Sequence, residues 1–182
     1  MRVLLDACVL FPTGLREMLI GTAATGGFVP LWSARILEEW ARATRRLPEG
    51  AEAVARAEIA HLRDRWPEAE VAVPEELVAT LSLPDADDRH VLAAAIAGGA
   101  EVLLTLNRAD FPTRALARHG ILLHGPDGFL ADLAAEGTDL GAVAEAVRRR
   151  AEAASGRPQA LRRLLKRAGL PRLGKALAAD AG

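Results

Sequence analysis

The chain has 182 residues, 51% of them apolar and 4% aromatic, with a net charge of -1, which suits one domain of ordinary size with a real core, alone or with a small appendage. No stretch reaches ~20 continuous apolar residues, so no membrane span is expected, and the short apolar N-terminus lacks a cleavage site, so no secretory signal is expected either. The single cysteine, Cys8, excludes an internal disulfide and cysteine-rich zinc sites; a cytoplasmic protein is the expectation.

In chain order, Val3-Leu4-Leu5 is a continuous apolar run of the kind found in a central parallel strand covered on both faces. Pro12 to Thr25 reads as a helix ended by Gly26-Gly27. Phe28 to Trp32 reads as a short strand or an extended lead-in, and Ser33 is a suitable N-cap for a helix to about Arg46. Gly50 to Arg65 is amphipathic and stops near Pro67. Val71 to Val73 suits a short strand, and Glu75 to Leu81 a brief helix. Leu83-Pro84-Asp85-Ala86-Asp87-Asp88 is a turn and cap signal before a helix to about Ala97, closed by Gly98-Gly99. Val102 to Thr105 is a second buried strand, Thr113 to Arg118 a short helix, and Ile121 to Leu123 a last strand. This alternation predicts a parallel α/β sheet. Beyond Pro126 only helical signals remain, over about 127–136, 139–154, 158–168 and 171–179. The expected organisation is therefore a domain over 1–124 and a helical, basic extension over 125–182.

Charge is unevenly spread. From Leu140 onward ten Lys and Arg face three acids, a net +7, which leaves -8 upstream. An acidic body suits metal cations, and a basic tail suits a polyanion. Arg148, Arg149, Arg162, Arg163 and Lys166 are the candidate nucleic-acid contacts, with a solvated helix face as the competing reading.

The acids carry the chemistry. In an open parallel sheet ligands sit outside the carboxyl ends of the strands. Asp6 is the first polar residue after the first strand and falls at that edge; an Asp that only forms a turn is the alternative. Asp88 lies on the apolar face made by Val91, Leu92 and Ala95, while His90 points away from it. A carboxylate aimed there is costly unless paired or bound to metal. Asp85 and Asp87 suit capping, and a plain first-turn role for Asp88 stays open. On the helix begun by Ser33, the apolar face centres on Ile36, Trp40 and Leu47. Glu39 lies nearer its edge than Glu38, although a solvated surface acid is the commoner fate of a helical Glu. Thr105, Asn107 and Asp110 follow the second strong strand. Asp110, before Phe111-Pro112, also suits a turn, and Asn107 suits orienting a water or a carboxylate. An oxygen-rich set without His or Cys clusters selects Mg²⁺ or Mn²⁺ over Zn²⁺, ions suited to phosphate ester hydrolysis.

Other chemistries lack their motifs. There is no phosphate-binding G-x-x-x-x-G-K-[ST] loop, no G-x-G-x-x-G after a strand and no G-x-S-x-G elbow. His61, His90, His119 and His124 lack metal-ligand spacing. Cys8, without a His near it in sequence, reads as a small buried packing residue.

Four segments together resemble the PIN-domain ribonucleases, and specifically VapC-like toxins: Val3-Leu4-Leu5-Asp6-Ala7-Cys8-Val9-Leu10, Trp32 to Trp40 around Glu38-Glu39, Leu83 to Ala95 around Asp88, and Leu104-Thr105-Leu106-Asn107-Arg108-Ala109-Asp110-Phe111. The resemblance covers residues 1 to about 124. It implies a small parallel sheet flanked by helices, and an acidic pocket for Mg²⁺ or Mn²⁺ made by Asp6, Glu39, Asp88 and a fourth acid. Asn107 stands where some members carry that acid, so Asp110 is the substitute; Asp85, Thr105 and Asn107 are supporting residues. The resemblance further implies cleavage of single-stranded RNA, a toxin with a cognate antitoxin masking the pocket, a homodimer, and a tail like the helical extension of some of these toxins. A structure-specific DNA nuclease and a non-catalytic nucleic-acid-binding module are the alternatives.

Overall fold

The computed structural model describes residues 1–179; Asp180, counted among the tail's acids, lies outside them. The chain divides into two compact units. Met1–Phe11 and Val29–His124 form the first, and Pro12–Phe28 joins Gly125 onward in the second.

The first unit is built on five parallel strands, β1 (Arg2–Leu5), β2 (Val29–Ser33), β3 (Glu70–Val71), β4 (Val102–Leu104) and β5 (Leu122–His124), in the order β3-β2-β1-β4-β5. The two central apolar runs are covered on both faces, as their composition requires: Val3, Leu4, Leu5, Leu103 and Leu104 are wholly buried. Leu122, on edge strand β5, is exposed. The helices of this unit are α1 (Ala7–Leu10), α3 (Ala34–Ala43), α4 (Ala51–Arg65), α5 (Glu75–Thr80), α6 (Arg89–Ala97) and α7 (Thr113–Ala117). The parallel α/β fold expected from the alternation is the one that forms.

Helix α6 packs across β1, β2 and β4. Ala93, Ala94 and Ala95 are wholly buried, and their small side chains let the helix lie close to the sheet. The approach is close at Gly98, where a Cβ would stand 2.9 Å from Val71 Cγ2 and 3.0 Å from Leu31 Cδ1, and also 3.0 Å from the carbonyl oxygen of Ala94 in its own helix. Gly99 then leaves the helix with φ +60°, a left-handed conformation that glycine adopts without strain.

Helix α3 begins as its cap predicts, with Ser33 Oγ accepting the Ile36 N–H at 3.2 Å. It ends earlier than expected. Thr44 Oγ1 donates to the Ala41 carbonyl at 2.6 Å, Thr44–Arg46 tighten into a 3₁₀ turn, and Leu47 is extended and exposed. Pro48 disfavours the helical conformation at the residue before it. Leu47 therefore takes no part in the apolar face assigned to it.

The second unit contains α2 (Thr13–Ala24), α8 (Pro126–Ala135), α9 (Leu140–Ser155), α10 (Leu161–Arg167) and α11 (Pro171–Ala179). Helix α2 packs on α9 and α10, and α11 on α8 and α10. Phe28 and Phe129 meet edge to face with centroids 5.5 Å apart. Asp127 accepts the Arg172 and Leu173 N–H groups at 3.0–3.1 Å, satisfying donors at the start of α11.

Candidate active site

From β1 the sheet extends through β2 to β3 on one side, and through β4 to β5 on the other. The switch lies between β1 and β4, and the carboxyl ends of strands at such a switch open onto a crevice. Asp6 directly follows β1 and Thr105 directly follows β4. The Asp6 N–H donates to the Leu104 carbonyl at 3.1 Å, which ties the two strand ends together.

Asp6 occupies the N-cap position of α1, yet its side chain does not cap that helix. Its buried carboxylate receives two donors on Oδ2: the Thr105 hydroxyl at 2.7 Å and the Cys8 thiol at 3.1 Å. Thr105 Oγ1 accepts the Asn107 N–H at 3.0 Å, and Cys8 Sγ accepts the Leu106 N–H at 3.2 Å. Among the described residues Asp6 Oδ1 accepts no hydrogen bond and no Arg or Lys pairs with this carboxylate. Cys8 is thus half-buried and hydrogen-bonded, which corrects its reading as a packing residue. Burial and the neighbouring Asp6 charge push its thiol up to about 12, so at neutral pH it is a donor and not a nucleophile.

The acids around Asp88 divide by role. Asp85 is exposed and its Oδ1 accepts the Asp87 N–H at 2.9 Å, a cap. Asp88, half-buried at the entry to α6, makes no cap hydrogen bond. Burial, then the charges of Asp6, Asp110 and Asp85, push its carboxyl up to about 6, with His90 opposing. Asp110 closes the 3₁₀ turn Arg108–Asp110 after β4. Asn107 contributes its backbone N–H to Thr105; its side chain is exposed.

Glu39 stands apart from this group. Its Oε1 accepts from Arg35 Nε at 3.1 Å and from His90 Nε2 at 2.9 Å. Burial raises its pKa, but these two partners outweigh it and leave the carboxyl below its ordinary value. Glu38 forms a separate surface network with Arg42 and Arg56. The expected outward position of His90 is overturned: the ring is 4% exposed. Residues His90 to Ala95 are buried without a break, so this helix has no polar side here for the ring to occupy. A histidine inside an alanine-rich apolar run was the available signal for it, and the i, i+4 spacing of Arg35 and Glu39 was the signal for their pair.

Within the second unit, Arg148 is locked between Glu145 and Glu152 on its own helix, and Arg149 lies 4.0 Å from Glu145. Arg162, Arg163 and Lys166 are exposed on α10 and have no ion-pair partner among the described residues.

A model of the PIN domain matches residues 2–109. The chain belongs to the PIN-domain family. PIN domains are metal-dependent nucleases, and hydrolysis of nucleic acid phosphodiesters is the activity this membership carries. Searches of curated proteins and of solved structures return no match. The acids suit a divalent ion in chemistry and charge. All donors are oxygens, and Asp88 is destabilised by three like charges, which a cation would relieve. As placed, no three His, Cys, Asp or Glu side chains among the described residues are close enough together to hold an ion. The PIN-domain acids would therefore have to draw inward to bind one. None of the described helices is long and apolar enough to cross a membrane.

Proposed function

We propose that this PIN domain is an endoribonuclease that cuts single-stranded RNA, using Mg²⁺ or Mn²⁺ held by Asp6, Asp88 and Asp110 with Glu39 at their border. The observation that carries it is that Asp6 and Asp88 lie at the sheet's switch point with carboxylates spent neither on capping nor on ion pairs, and that Asp88 is raised by Asp6 and Asp110. A divalent ion bound there would neutralise the scissile phosphate and acidify the attacking water.

The chain's own groups supply the rest. Thr105 and Cys8 fix Oδ2 of Asp6, so its Oδ1 is presented in one orientation. Glu39, engaged by two donors and lowered in pKa, is a poor proton acceptor. Asp88, which makes no cap hydrogen bond, is the better one: it would take the proton of the attacking water while the bond from phosphorus to the departing nucleotide's oxygen breaks and that oxygen leaves with a proton from solvent. The resemblance to VapC-like toxins supports a toxin role: a cytoplasmic homodimer whose acidic pocket is covered by a cognate antitoxin until that partner is lost.

The test is one buffer series with labelled single-stranded RNA, single-stranded DNA and flap DNA, each with Mg²⁺, Mn²⁺ or EDTA. Products from RNA alone, dependent on the metal and absent in Asp6→Asn and Asp88→Asn, are expected. Cleavage confined to flap DNA would make the chain a DNA nuclease, and EDTA-insensitive binding without products would make it a binding module. A short adjacent reading frame encoding a DNA-binding protein that inhibits cleavage is the corresponding test of the toxin role.

A further inference from the structure

A second feature lies on the same rim of the sheet. A cavity of about 440 Å³ opens between the carboxyl ends of β2 and β3, bordered by Ser33, Arg35, Val71, Val73, Glu75 and His90. Its volume falls in the ~300–1,000 Å³ range of small-molecule sites. Arg35 and His90 are also the two partners of Glu39, so this cavity shares a wall with the acid site. Several of its polar groups keep hydrogen-bonding capacity beyond the partners they have. Arg35 uses only Nε on Glu39, which leaves both Nη groups as donors. Ser33 is 3% exposed; its oxygen accepts the Ile36 N–H, and its own proton has no acceptor among the described residues. Glu75, at the start of α5, has no cation partner there, whereas Glu70 beside it is taken by both arms of Arg63. His90 Nδ1 is buried without a partner.

We propose that this cavity is a guanine subsite for a base flanking the scissile phosphate of the substrate strand, a reading that rests on the nuclease assignment. Apolar Val71 and Val73 give a planar base its walls. Arg35 supplies donors for O6 and N7, the commonest arginine–guanine contact, and Ser33 adds a hydroxyl donor. The two oxygens of Glu75 match the paired N1–H and N2–H donors of guanine. Adenine lacks O6 and the N1–H. Cytosine offers one amino group, and uracil a single N–H between two carbonyls that the carboxylate repels. Unstacked bases of single-stranded RNA are read in this way, by edge hydrogen bonds and arginine planes.

The test titrates the full chain with GMP, AMP, CMP and UMP in EDTA and follows backbone amides by NMR, so it needs no cleavage. GMP is expected to shift Ala34, Val71 and Val73 and to bind about tenfold more tightly than UMP, the discrimination of one bidentate pair. Glu75→Gln, an exposed substitution that leaves the core untouched, should remove that preference, and Arg35→Gln should weaken GMP itself. Equal binding of the four nucleotides, shifts confined to other residues, or an undiminished preference in Glu75→Gln overturns the subsite. These outcomes are read independently of the labelled-RNA assay, whose failure strikes the nuclease reading alone.

Discussion

Asp6, as the proposed metal ligand, would depend on the groups that hold it. Its Oδ2 is fixed by Thr105 at 2.7 Å and by Cys8 at 3.1 Å, and groups that orient a metal ligand typically contribute about 10–100-fold in affinity or activity. Thr105→Val, nearly the same in shape, should lower cleavage within that range, and Thr105→Ser should restore most of it; a full-rate Thr105→Val enzyme would show that Asp6 needs no such support. Cys8, with its thiol pushed up to about 12, should resist alkylation in the folded chain and react only on unfolding. Asp88 has the opposite sign from a salt-bridged acid. Its carboxyl rises from an ordinary 3.8 to about 6, so between those values the folded chain binds a proton that the unfolded chain has lost. Its contribution to stability is therefore greatest below the lower value, falls as pH climbs toward the upper one, and stays unfavourable beyond it. In EDTA, Asp88→Asn should melt higher than the wild type at about pH 7.5 and no higher at about pH 3, where the carboxyl is largely protonated in the folded and the unfolded chain alike. Added Mg²⁺ should raise the melting temperature of the wild type by relieving the same repulsion, and have little effect on the variant. Thermal melts across pH, with and without metal, read all of this, and an Asp88→Asn chain that melts lower at neutral pH would show that the carboxylate is compensated.

At the scale of elements, helix α6 joins fold and site, since it carries His90 to Glu39 while lying against the sheet. At Gly98 a Cβ would press on the Val71 and Leu31 side chains of the sheet and on the Ala94 carbonyl oxygen of its own helix, and that backbone oxygen cannot swing aside as a side-chain end can. Gly98→Ala should cost about 1–3 kcal/mol, as overpacking does, measured by urea unfolding; an unchanged midpoint would mean that the helix moves off the sheet freely. The same helix marks the limit of reading function from sequence. Elements with one strong period or composition were legible: β1 and β4 from unbroken apolar runs, α3 from the Ser33 cap, α9 from its length and pattern. Asp6 and Asp110 were legible because carboxyl ends of strands are where ligands gather. His90 was not, because a helix buried nearly all round carries no wheel from which to read an outward face. Cys8 was not, because its partners Asp6, Thr105 and Leu106 converge only when β1 and β4 pair. Glu39 was legible as an acid near an apolar edge, and its tie to Arg35 from their i, i+4 spacing, but its tie to His90 depends on the meeting of α3 and α6.

For the whole molecule, the sign of the charge separates with position along the chain, and the tail's cations turn out to be of two kinds. Arg148 is spent on Glu145 and Glu152, so it serves its own helix. Arg162, Arg163 and Lys166 project from α10 while Leu164 and Leu165 of the same helix are buried; with Arg157 and Lys175, exposed and likewise without an ion-pair partner among the described residues, they are the cations left for a polyanion. Truncating the tail would not test this cleanly, because α2 would lose α9 and α10, the helices it packs on. Charge removal in place is the sharper experiment. Each phosphate neutralised on a single strand contributes about 0.7 to the slope of log affinity against log salt. If all three α10 side chains contact RNA, replacing them together with Gln should flatten that slope by about 2 and weaken binding at low salt most. Arg148→Gln should leave the slope unchanged and lower helix stability instead. A triple variant with an unaltered slope would return these residues to the role of a solvated face, and the +7 of the tail would then be a matter of solubility or of an acidic protein partner, not of substrate.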